Sequence, residues 1–124
     1  MKEKQMEVLM VEPGKYPYVT TIKNELEAMQ KAVGGYIEAI SLEDGNVIIL
    51  NEEGKLMGLE GNRALGDNIL VGPFFIAGSD GEHFASLSKE HQELYENRFH
   101  EPEQFTQEEI EATMQCGFFV FNMK

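Results

Sequence analysis

The sequence predicts a single α+β domain over residues 1–124, with a mostly antiparallel sheet of five to six strands and about three helices. Three observations lead there. Hydrophobic residues at 42% and charged residues at 26% of 124 are ordinary values for a folded chain, and a chain of this length hides roughly two-thirds of its unfolded surface in one core. Apolar residues recur at period 2 in some runs and at 3 and 4 in others, the marks of strands and helices. The two kinds of run follow each other irregularly, unlike the strict alternation of a parallel α/β sheet.

Taken in order, residues 1–5 read as a flexible tail before "MEVLMVEP". Met6, Val8 and Met10 alternate with Glu7 and Leu9 as in a strand, and Pro13-Gly14 ends it. "YPYVTTI" extends again. Asn24 offers a side-chain oxygen to a helix start, with Glu27 three residues on as reciprocal cap. Leu26, Met29 and Val33 form the apolar stripe of that helix, and Gly34-Gly35 supplies a left-handed stop. "YIEAISL" and "NVIIL" read as two strands joined by Asp44-Gly45, which suits a two-residue hairpin and sets Tyr36, Glu38 and Ile40 on one face. "NILVGPFFIAG" is too apolar for a surface strand, and Gly72-Pro73 predicts a bulge or an edge within it.

Helices are expected from about Ser88 to Phe99 and from Thr106, where Glu109 completes a capping box before Ile110 and Met114. Pro102 separates them. "GFFVFNM" predicts a final inner strand.

Charge is the compositional anomaly: 10 basic against 22 acidic residues leave −12, with pI near 4.6. From Asp80 to Glu111 ten carboxylates face only Lys89 and Arg98, a net of −8, so residues 80–115 form an acidic, mainly helical segment. Such a field repels nucleic acid and anionic membranes and favours a basic protein partner. Glu90, Glu93 and Glu96 lie about one turn apart and are the candidate interaction residues, the alternative being a solvated outer face.

The other candidate site is "NEEGKLMGLEGNRALG", which is neither helix nor strand in character and holds four glycines and one of only two arginines. Asn51, Glu52, Asn62 and Arg63 are its polar members. Bare backbone permits close approach of a small anionic ligand, and an arginine fork with a neighbouring amide recognises carboxylate, phosphate or a base edge. The competing reading has Arg63 tying down its own loop.

Signatures of phosphate-binding, dinucleotide, zinc-protease and calcium loops do not occur, and no nucleophile, base and orienting group pair up in the sequence. No cofactor or metal is expected: His83, His91 and His100 are too widely spaced for one site. Cys116 is expected to be an inert thiol at the start of a buried strand. The sequence contains no run of about 18 apolar residues, no export leader and no second cysteine, so a cytoplasmic location is expected.

The ordered segments "VEPG", "VGGYIEAISL", "NEEGKLMGLEGNRALG", "ILVGPFFIAG" and "FASLS", within Met6 to Ser88, resemble an uncharacterised domain family carried by phages, plasmids and conjugative elements of gut bacteria of the clostridial type. The family has no assigned catalytic residues. The resemblance implies a mobile-element accessory gene, sometimes near genes that blunt restriction or other host defence.

Overall fold

The computed structural model describes the backbone of residues 2–122 and the side chains of residues 2–114. Its main sheet contains β1 (Gln5–Val11), β2 (Tyr18–Lys23), β3 (Ile37–Ser41), β4 (Val47–Asn51) and β7 (Phe74–Ser79). Their order is β2-β1-β7-β4-β3, with every neighbouring pair antiparallel. The short β8 (Phe84–Ala85) pairs with the end of β7, making a sixth strand. A separate hairpin is built from β5 (Gly61–Leu65) and β6 (Asn68–Val71). Three helices complete the domain: α1 (Leu26–Val33), α2 (Lys89–Arg98) and α3 (Gln107–Asn122).

Both faces of the sheet are covered, so its central strands are apolar on both sides. Met6, Val8 and Met10 of β1, with Ile49 and Phe75, pack against Met29 and Val33 of α1. Leu9 and Val11, with Ile48, Phe74 and Ile76, pack on the opposite face with Leu70, Leu87, Tyr95 and Phe99. Phe74 and Phe99 meet edge to face, with centroids 5.5 Å apart. Each fully buried side chain of this size stabilises the fold by about 1.5–3 kcal/mol, so the central strands dominate the apolar contribution. A third cluster joins the hairpin to α3 through Ile69, Val71 and Ile110, flanked by Leu59 and Phe105.

The local signals fare unevenly. Ser88 caps α2, accepting from the His91 amide, and Thr106 with Glu109 forms the expected reciprocal box at 3.1 and 2.7 Å. Gly34 closes α1 in the left-handed conformation, its N–H donating to Gln30 O. The N-terminus of α1 differs from expectation: the cap position is Glu25 with no side-chain cap bond. Asn24 is instead buried, its amide donating to Lys4 O and its side chain to Phe84 O, so long-range partners outcompete the local one. Residues before β1 are also engaged, since the Glu3 carboxylate accepts from the Ser86 N–H and hydroxyl.

Three further expectations are corrected. The β3–β4 turn has three loop residues, Glu43 to Gly45, because Leu42 N donates to Asn46 O and Gly45 N to Leu42 O. Only Gly45, at φ 89°, is left-handed there, whereas a two-residue turn would also need Asp44 at positive φ. "NILVGPFFIAG" is two strands in two different sheets. The Gly72-Pro73 step carries the chain from the hairpin to the centre of the main sheet. The C-terminal "GFFVFN" is helical through Asn122, because the capped α3 continues past Met114 through residues that disfavour a helix only mildly. The expected burial of the Cys116 thiol lies outside the described side chains.

Candidate functional site

Five of the sixteen residues of the glycine-rich stretch form a strand, β5. β5 forms from "GNRAL", poor strand formers, because its partners are tertiary. A bulge between Gly61 and Arg63 shifts the register against β6. The extra residue lets Asn62 and Arg63, neighbours that would otherwise point to opposite faces, both reach full burial. A Cβ on Gly61 would lie 2.9 Å from the Phe105 ring, so the bare backbone admits the protein's own side chain.

Arg63 is the largest fully buried side chain described. Its Nε donates to Phe99 O at 2.8 Å, one terminal nitrogen to Asn62 O and Oδ1 at 3.1 and 2.8 Å, and the other to Lys15 O at 2.6 Å. The Asn62 amide nitrogen donates to Val11 O and Gly72 O at 2.9 and 2.8 Å. Together the two side chains pin the hairpin to the end of β1 and the loop after it, to the link before β7 and to the end of α2. Burial pulls the guanidinium below its ordinary range, opposed by the nearby Glu103 and Glu101.

Asn51 is a separate structural tie. It is buried, its amide donates to Val33 O at 3.2 Å, and its oxygen accepts from Glu53 N at 2.8 Å. Glu52 is exposed. Among the described residues no hydrogen bond joins Asn51 or Glu52 to Asn62 or Arg63, so the structure does not gather the four into one site.

The acidic candidates do share a face. Gln92 and Tyr95 bury the inner side of α2, while Glu90, Glu93 and Glu96 are exposed on its outside beside Leu94, 52% exposed. Among the described residues none of the three forms an ion pair. Lys89 is drawn to Glu7 at 2.8 Å, which together with Gln92 holds the Glu7 carboxyl below its ordinary range.

A cluster that the sequence did not reveal lies where the β3–β4 turn meets α2. Tyr95 OH donates to Asp44 Oδ2 at 2.5 Å, and Asn46 N donates to Oδ1 at 3.0 Å. Burial opposes ionisation of Asp44, but these donors outweigh it and hold the carboxyl below its usual value; burial and the same carboxylate push Tyr95 up to about 12. His91 Nε2 is 3.8 Å from Asp44 Oδ2, and Ser88 Oγ is 3.1 Å from His91 Nδ1. This order suggests serine, base and acid, yet 3.8 Å exceeds hydrogen-bond length and Ser88 Oγ already accepts the His91 amide. The arrangement is a helix cap beside a charged turn. Nothing local in the sequence pairs positions 51 apart, such as Asp44 and Tyr95.

Tyr95 and Arg98 line an open cleft of about 520 Å³ with Ile40, Leu42, Asp44 and Leu65. A second, of about 160 Å³, lies between β3 and β6 and is lined by Glu38, Ile40, Glu52, Lys55 and Asn68. Lys55 Nζ donates to Asn68 Oδ1 at 2.5 Å and to Thr113 Oγ1 at 2.8 Å, and burial lowers its pKa against the pull of Glu38. The histidines are dispersed: His83 beside Asp80, His91 beside Asp44, and His100 stacked on Tyr16 with centroids 4.6 Å apart. Among the described residues no three His, Cys, Asp or Glu side chains gather as metal ligands.

The model of a domain of unknown function, DUF3846, matches residues 6–100, from β1 to just beyond α2. The chain belongs to the DUF3846 family. The match takes in the main sheet, the hairpin, both described clefts and the α2 face, and stops before α3. Comparison with curated proteins and with solved structures finds no match. Among the described residues no helix is long and apolar enough to cross a membrane.

Proposed function

We propose that this DUF3846 domain is a non-enzymatic accessory binding protein of a mobile genetic element, an inhibitor or adaptor that acts in the cytoplasm by contacting a basic protein surface. The observation that carries the reading is the outer face of α2. Glu90, Glu93 and Glu96 project there without ion-pair partners among the described residues, beside the half-exposed Leu94. Like charges one turn apart cost roughly 0.2–0.5 kcal/mol per pair in an isolated helix, and a cationic partner reverses that sign. The carboxylates would steer association, while Leu94, on the flank of their row, would supply an apolar contact. The mobile-element setting rests on the resemblance of the ordered segments from "VEPG" to "FASLS".

The alternative is a small-ligand or nucleotide-sequestering protein built around Arg63. A ligand there would have to replace hydrogen bonds to Phe99 O, Lys15 O and Asn62, and it would leave buried carbonyls unpaired at about 1–3 kcal/mol each. The α2 reading requires no such exchange.

The test is affinity capture from host lysate near 0.1 M salt, followed by identification of the partner and direct titration of the two purified proteins. Binding should weaken steeply as salt rises toward 1 M and the Debye length falls from about 10 to 3 Å. Glu90, Glu93 and Glu96 changed together to Gln should remove it. Equal affinity of that triple variant for the partner would refute the reading.

A further inference from the structure

The sheet ends at β3, and the register shows which backbone groups are left there. Glu52 N donates to Tyr36 O and Leu42 N to Asn46 O, each at 2.8 Å, so the even-numbered residues of this strand bond to β4. By alternation the N–H and C=O groups of Ile37, Ala39 and Ser41 point away from the sheet. Among the described residues no strand pairs with that edge. Ala39 and Ser41 are exposed, and β3 has no proline, lysine or bulge of the kind that blunts an edge.

The side chains of the even-numbered residues add the second observation. Ile40 and Leu42 pack on the α2 face of the sheet. The two clefts described above lie along that same face on either side of Ile40, which lines both. The β5–β6 hairpin forms the far wall, through Leu65 and Gly66 at one end and Asn68 and Ile69 at the other. A strand added to β3 would direct alternate side chains to this face, about 6.6 Å apart, toward two successive recesses.

We propose that β3 is a peptide-docking edge: an extended segment of a partner protein pairs with Ile37, Ala39 and Ser41, sets alternate apolar side chains into the two clefts, and meets Glu38 and Glu43 with a flanking lysine or arginine. Main-chain pairing supplies the affinity, and the recesses select the side chains. Charge decides the flanking residues. Among the described residues Glu38, Glu43 and Glu52 line the groove without a salt bridge and Asp44 adds a fourth carboxylate, against two cations, Arg98 and Lys55, the latter donating to Asn68 and Thr113. This surface is separate from the outer face of α2 and stands or falls without it.

The probe is a blocked hexapeptide of alternating valine and threonine flanked by lysines, titrated into the isotopically labelled protein. Backbone amide signals of Ile37–Ser41 should shift, and the amides of Ile37, Ala39 and Ser41 should become protected from exchange. Methylating one peptide nitrogen that faces β3 should weaken binding about tenfold, the value of one backbone hydrogen bond. Ala39→Pro should do the same, because it removes an outward donor that the β3–β4 ladder does not use. Should that variant misfold, the methylated peptide on the unaltered protein decides alone. The Gln triple variant of α2 should bind the peptide as the parent does, so failure of one surface is distinct from failure of the other. The idea is overturned by no shift at millimolar peptide, by shifts centred elsewhere, by indifference to N-methylation, or by protection of the same amides in peptide-free protein that dimerises through β3.

Discussion

Arg63 and the α2 glutamates are both charged groups beside the same core, yet they are built in opposite ways. Arg63 is surrounded by oxygens of its own chain and is fully buried. Glu90, Glu93 and Glu96 have no ion-pair partner among the described residues and face solvent. The contrast teaches that a charge contributes to folding in proportion to the groups its removal would orphan. A glycine-rich segment with an arginine suggests a ligand loop, but here the bulge at Asn62 turns it into a latch across three parts of the chain.

The largest test of that contrast is Arg63→Ala. It should lower stability by about 3–5 kcal/mol, since several buried carbonyls lose their donor and a cavity opens. Denaturant unfolding would read this directly. A melting temperature equal to the parent's, together with loss of a nucleotide-induced thermal shift, would instead place Arg63 in a ligand site.

Between the extremes lies Tyr95, buried itself but bonded to the part-exposed Asp44. Tyr95→Phe should cost about 1–2 kcal/mol at neutral pH. The Asp44 carboxyl is held below its ordinary value, so its contribution is present above the ordinary carboxylate range and is lost as pH falls through the folded pKa. Tyr95 lies at about 12 in the fold, so its contribution is present below its ordinary pKa near 10 and is lost as pH rises toward 12. The stability difference between parent and variant should therefore shrink at both ends of the pH range. A difference independent of pH would show that only packing separates the two proteins.

The smallest effect belongs to α2. Changing Glu90, Glu93 and Glu96 together to Gln should leave stability unchanged or raise it by about 0.5 kcal/mol or less, and any gain should vanish in high salt. A large loss would mean that these carboxylates hold the fold, and the contrast with Arg63 would collapse.

Elements whose signal is local were legible from residues alone. Ser88, Thr106 with Glu109, and Gly34 act within one turn of their own helix, so neighbouring residues suffice to place them. The alternation of Met6, Val8 and Met10 fixes which face each side chain takes, because the strand period is 2. The acidic outer face of α2 was readable for the same reason: spacing on a helix determines shared exposure.

What only the tertiary structure decided involves partners far away in sequence. Asn24 was drawn from its cap by Phe84 O, sixty residues on. Gly61 to Leu65 became a strand although their propensity argues against it, because Asn62 and Arg63 reach Val11, Lys15 and Phe99. The strands on either side of Gly72-Pro73 look continuous in sequence but belong to different sheets, a choice made by which neighbours complete each ladder. The Asp44–Tyr95 pair and the two clefts along β3 exist only once the β3–β4 turn, the hairpin and α2 converge. By itself the sequence determined periods, caps and the sign of the surface charge, since these depend on residues a few positions apart. Contacts across many residues determined which polar groups are buried and which edge stays open, because a hydrogen bond or a cleft needs both of its sides in place.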